Sequence, residues 1–157
     1  LGELAINRSL SILGLGANNL AISGSNAFRV FNIASSGTTV NLSGLTIRNG
    51  NAGSNSGGGI VVGAGNTLNL ANTIVANNVA AVGGGIANPN GGTLNLDSVT
   101  VTGNQATNTT VSGVPGFQLG GGGIYNTGSL TLNNSVVANN TAIRGGGIQN
   151  LDATGNG

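Results

Sequence analysis

The chain has 157 residues and seven formal charges, four Lys or Arg against three Asp or Glu, for a net charge of +1; 31 residues are glycine and none is histidine or cysteine. No basic cluster exists to follow a phosphate backbone, so nucleic acid is not expected as a partner. Without cysteine there is neither a disulfide framework nor a thiolate metal site, and no stretch approaches the ~20 apolar residues of a helical membrane span.

In chain order, the first third carries short alternating units. Leu4-Ala5-Ile6 and Leu10-Ser11-Ile12 resemble the later Val40-Asn41-Leu42 and Leu45-Thr46-Ile47, and Leu20-Ala21-Ile22 supplies a further strand. A strand is expected over residues 28–33, with Phe28 and Phe31 plugging the core. From residue 38 the pattern is regular. Val40-Asn41-Leu42, Leu68-Asn69-Leu70, Leu94-Asn95-Leu96 and Leu130-Thr131-Leu132 each stand ten residues before a recurring alanine, at Ala52, Ala80, Ala106 and Ala142. Between these ends, Ile47, Val75, Val101 and Val137 share one column, and Gly50, Asn78, Asn104 and Asn140 another. Gly-Gly-Gly-Ile recurs and places Ile60, Ile86, Ile124 and Ile148 in a third column.

A period in the mid-twenties built from alternating apolar residues and Gly or Asn corners predicts an all-β parallel β-helix. About five coils are expected over residues 1–157, each with three short strands stacked roughly 4.8 Å apart. Helices are disfavoured by the Gly and Asn content and by the absence of an i, i+3, i+4 apolar stripe. Leu42, Leu70, Leu96 and Leu132 then stack as one aliphatic ladder. Asn78, Asn104 and Asn140 form an asparagine ladder at a turn, and Asn88, Asn126 and Asn150 a second, with Val62 interrupting it. The pattern starts and stops within a coil, which reads as a segment of a longer protein or a unit whose ends meet neighbours.

Residues 107–120 lengthen one interval. They form an inserted loop between coils, and Val114, Pro115, Phe117 and Gln118 are its candidate binding residues, or else a flap packed on the coil wall. The glycine runs are corners rather than phosphate cradles, because neither a following helix nor a lysine accompanies them. Acid and base groups do not converge: Glu3, Asp97 and Asp152 fall in different coils, Asp97 stacks between Ala71 and Asn133, and Arg48 is alone in its column. No catalytic residue, cofactor or metal is expected.

Gly-Gly-Gly-Ile followed by Val-x-x-Asn, as in Val75 to Asn78, Val101 to Asn104 and Val137 to Asn140, resembles the right-handed β-helix repeats of bacterial polymorphic outer-membrane proteins and related autotransporter passengers. Valine stands here for the phenylalanine of that family. The resemblance implies a right-handed coil and a secreted or cell-surface bacterial protein that serves as stalk, adhesin segment or self-associating fibre unit. Its expected partners are further copies of itself, glycans or a host or cell surface. The alternative is a carbohydrate- or surface-binding module using the inserted loop or the polar wall Asn41, Asn69, Asn95 and Thr131, or the non-catalytic part of a polysaccharide-active enzyme.

Overall fold

The computed structural model of the chain describes residues 2–108 and 120–151. Every strand pair among them is parallel, and no helix occurs there. A first sheet of six strands runs Leu4–Ile6, Phe31–Ile33, Ile60–Val62, Ile86–Asn88, Ile124–Asn126 and Ile148–Asn150. The second sheet stacks Leu10–Leu13, Thr39–Ser43, Thr67–Ala71, Thr93–Asp97 and Ser129–Asn133; the third stacks Ala21–Ser23, Thr46–Arg48, Ile74–Ala76, Thr100–Thr102 and Val136–Ala138. Successive strands of the chain visit the three sheets in turn, which makes a β-solenoid of about five coils with three strands per coil. Two of the coils add a short fourth pairing, Val79–Ala80 with Gln105–Ala106.

Period-two alternation decides which side chains enter the interior. In the second sheet Val40, Leu68 and Leu94 stack in one inward column and Leu42, Leu70 and Leu96 in the next, all at most 1% exposed. Ile47, Val75 and Val101 line the third sheet, and Phe31, Ile60, Ile86 and Ile124 the first. Each such burial contributes about 1.5–3 kcal/mol. Leu132 and Ile148 continue their columns at the end of the described stack; Leu132 is 39% exposed.

Left-handed corners close the coil, and besides Gly37, Gly65 and Gly91 ahead of the second sheet they form three columns. One falls at Gly44, Asn72, Ser98 and Asn134, a second at Asn49, Asn77, Gly103 and Asn139, and a third at Gly57, Gly83, Gly121 and Gly145, all with positive φ. Only Gly, Asn and Ser occupy them. Glycine takes this conformation without penalty and asparagine tolerates it, whereas a β-branched side chain does not.

The first coil corrects the sequence alignment. Leu4–Ile6 pairs with Phe31–Ile33, Leu10–Leu13 with Thr39–Ser43, and Ala21–Ser23 with Thr46–Arg48. Leu4-Ala5-Ile6 therefore belongs to the first sheet, not under Val40-Asn41-Leu42, and Leu10-Ser11-Ile12 takes that place. Alternating triplets look alike, and only their distance from a corner tells them apart; the turn at residues 14–20 shifts that distance. The strand expected over residues 28–33 begins at Phe31. Phe31 is 1% exposed and fills the interior, but Phe28 is 46% exposed and lies outside it.

Buried amides knit the coils together. Asn104 Oδ1 accepts from Asn78 N and Asn78 Nδ2, while Asn104 Nδ2 donates to Asn140 Oδ1 and Val75 O. Replacing it by alanine strands the buried Asn78 N–H and removes the side-chain bonds to Val75 O and Asn140 Oδ1. Asn104→Ala should cost about 3–5 kcal/mol, against less than about 1 kcal/mol for the surface change Asn95→Ala, both read from urea unfolding midpoints at constant slope.

Candidate functional site

Chemistry-bearing side chains are few, and the coil geometry keeps most of them apart. Asp97 sits between Ala71 and Asn133 in its outward column, and Arg48 is stacked with Ser23 and Ala76. Among the described residues no three His, Cys, Asp or Glu gather as a metal site, and no helix is long and apolar enough to cross a membrane. Val114, Pro115, Phe117 and Gln118 lie outside the described residues.

The asparagine columns occupy three different settings. Asn78, Asn104 and Asn140 stack at the corner after the third sheet. There Asn78 Oδ1 also accepts from Gly50 N at 2.7 Å, so the glycine that opens this column is held by the next rung. Asn88 donates to Asn126 Oδ1 at 2.7 Å and Asn126 to Asn150 Oδ1 at 2.6 Å, at the last position of the first-sheet strands. In the coil where Val62 interrupts this second ladder, Asn66 bridges the coils instead. It is 1% exposed, accepts from Thr38 N and donates to Ile33 O. Sequence reasoning missed Asn66. Its signal was its place directly before Thr67, where the following coil has Gly92 before Thr93.

A third ladder runs along the outside. Asn95 Nδ2 donates to Asn69 Oδ1 at 2.8 Å, Asn69 Nδ2 to Asn41 Oδ1 at 2.7 Å, and Asn41 Nδ2 to Ser11 Oγ at 3.0 Å. Beside it stands a hydroxyl column of Thr39, Thr67, Thr93 and Ser129. Asn41 and Asn69 each spend one donor and one acceptor on their neighbours and Asn95 one donor, so every amide retains hydrogen-bonding capacity for solvent. The result is a flat wall of oriented polar groups at a strand spacing of about 4.8 Å.

One arrangement departs from repetition. Glu3 and Arg29, one coil apart, form an ion pair at 2.7 Å, the only one among the described residues. The Arg29 guanidinium also donates to Ser56 O and Gly57 O, and Asn32 Nδ2 donates to the second Glu3 oxygen at 2.7 Å. A cavity of about 570 Å³ opens beside this pair, lined by Glu3, Phe28, Arg29, Asn51, Gly53 and Asn55. The opposite charges 26 residues apart were the signal for it, at the spacing of one coil.

Comparison with known proteins finds no match. No family model, curated protein or solved structure aligns with this chain.

Tyr125, on the outward column of the first sheet between Ala87 and Gln149, is 4% exposed. The glycine corner folds back over this column, and a Cβ on Gly121 would lie 2.7 Å from Tyr125 Cα. Burial pushes the phenol above its ordinary value of 10.0. The unfolded chain then loses this proton first as pH rises, so it binds fewer protons than the folded one and stability falls with pH above about 10. Phenolate absorbance should show a midpoint above that value in native protein and near it in urea. Because this is the sole tyrosine, the signal reports one group.

Proposed function

We propose that the chain is a non-catalytic structural solenoid, a spacer within a secreted or cell-surface bacterial protein of stalk or adhesin type. One observation carries this reading. The same bonds recur from coil to coil through Gly50, Asn78, Asn104 and Asn140, while among the described residues Asp97 and Arg48 each stand between uncharged neighbours in their columns. Such a stack adds length without adding a reactive group, because each coil contacts only its neighbours. The Gly-Gly-Gly-Ile and Val-x-x-Asn resemblance to surface-protein repeats supports the extracellular placement. Self-association into fibres is the variant favoured by a net charge of only +1, which repels copies weakly.

The outward ladder of Asn41, Asn69 and Asn95 favours a second reading, in which this wall binds a neutral glycan or another hydroxylated surface.

Coil deletion tests the spacer reading. Removing residues 79–104 joins Asn78 to Gln105, the residue that pairs with Val79 in the next coil. The product should keep its β circular dichroism and a cooperative unfolding transition, and be shorter by about 4.8 Å along the stack in solution scattering. Loss of folding would sink the idea of interchangeable coils. Incubation of the intact chain with a panel of polysaccharides should release no reducing ends, and any turnover would replace the structural reading by an enzymatic one. Electron microscopy across a concentration series separates stalk from fibre: filaments growing with concentration identify the fibre form, and a persistent monomer the stalk.

A further inference from the structure

The cleft beside Phe28 lies where the repeat is broken. Counting back from the Phe31 and Ile60 pair, Phe28, Arg29 and Val30 stand at the positions of Gly57, Gly58 and Gly59 in the next coil. Gly57 has a φ of +68°, but Phe28 is not among the residues of positive φ, so this corner follows another path. Arg29 holds that path: its side chain is only 12% exposed and it bonds two carbonyls of the following corner and the Glu3 carboxylate. Phe28 gains nothing comparable. Its main chain is bonded to Gly24 O and Asn51 N, yet 46% of the residue is exposed, and it lines both this cavity and a neighbouring cleft with Leu4, Ile22 and Val30.

Around this ring the polar groups are fixed by bonds of their own. Asn51 donates to Asn26 O and accepts from Gly53 N, and Asn55 Nδ2 donates to Ala52 O at 3.2 Å. Each amide therefore presents a spare donor and acceptor in a set orientation, and each Glu3 oxygen keeps a lone pair beyond the one used by Arg29 or Asn32. The Glu3 and Arg29 charges cancel within the cleft. An exposed aromatic side chain, a rim of oriented donors and acceptors and no net charge match a molecule with one C–H face, an edge of hydroxyls and no charge. A phosphate or carboxylate ligand would meet Glu3 with its own sign and find Arg29 already committed.

We infer that this cleft, built from Phe28, Glu3, Asn51 and Asn55, is a binding site for a neutral saccharide. One sugar ring stacks on Phe28 while its hydroxyls donate to the Glu3 carboxylate and exchange hydrogen bonds with the two amides. The site is distinct from the polar wall of the second sheet and does not depend on the spacer reading, since a coil stack serves as a spacer whether or not the cleft is filled.

The test is amide-resolved NMR of the 157-residue chain titrated with methyl glycosides of glucose, galactose and N-acetylglucosamine, with cellobiose and with chitobiose. Saturable shifts at Glu3, Phe28 and residues 51–55 are expected for at least one probe, with a Kd of about 1 mM or tighter. Phe28→Ala, which leaves the main-chain bonds in place, should weaken that probe at least about tenfold at an unchanged unfolding midpoint. Asn55→Ala should weaken it severalfold. Absence of shifts with every probe overturns the assignment, as does undiminished binding by Phe28→Ala. Shifts confined to Asn41, Asn69 and Asn95 would overturn it too and assign saccharide binding to the wall instead. Coil deletion probes the spacer reading separately, because residues 79–104 do not line this cleft.

Discussion

Coil-to-coil amide hydrogen bonding at Asn78, Asn104 and Asn140 is the interaction on which the rest of the structure depends. A buried asparagine is costly unless its groups are paired, and here the pairing is available only when coils stack in register. Asn78 reaches back to Ile47 O and forward to Asn104 Oδ1, and Asn104 repeats the pattern with Val75 O and Asn140 Oδ1. A slip of one residue between strands would leave these amides unsatisfied and would also turn the inward leucines of the slipped second-sheet strand outward. Polar and apolar terms thus select the same register.

Glycine makes that ladder geometrically possible. A Cβ on Gly59, Gly85 or Gly123 would come within 2.6, 2.7 or 2.6 Å of the carbonyl of the glycine one coil on. The same hypothetical atom would lie 3.1 Å from Asn78 Nδ2, 3.0 Å from Asn104 Cγ and 2.9 Å from Asn140 Nδ2 respectively. The third glycine of each run and the ladder asparagine are therefore two halves of one packing solution, which is why the two motifs travel together along the chain. The residue before each ladder position, Asn49, Asn77, Gly103 or Asn139, supplies the left-handed turn that aims the amide inward.

Repetition and its interruption divide the molecule between support and recognition. Where the coils repeat, outward groups are alike from strand to strand, and a ladder such as Asn41, Asn69 and Asn95 offers the same contact at every step. At Phe28 and Arg29 the glycine corner is absent, a charge must be neutralised by Glu3, and a cavity with unlike walls results. Chemical diversity within one cavity is what selective binding requires, and a uniform ladder does not supply it.

The sequence by itself determined the β-solenoid, its period and its inward columns, because period-two alternation and the matching columns of Leu70, Leu96 and Leu132 leave little freedom in stacking equal coils. It also marked Asn78, Asn104 and Asn140 as a ladder, since polar residues recurring in one column of a packed repeat must bond one another. Only the tertiary structure decided the rest. Which Leu-x-Ile triplet of the first coil joins which sheet depends on where the chain turns, and local alternation carries no record of that. The burial of Asn66 follows from a partner in the preceding coil, Ile33 O, which is far away in sequence. Of the cleft, the sequence showed opposite charges one period apart and two phenylalanines three residues apart. That Phe31 enters the interior while Phe28 stays outside, beside Glu3 and Asn55, was fixed by the path of a corner without its glycines.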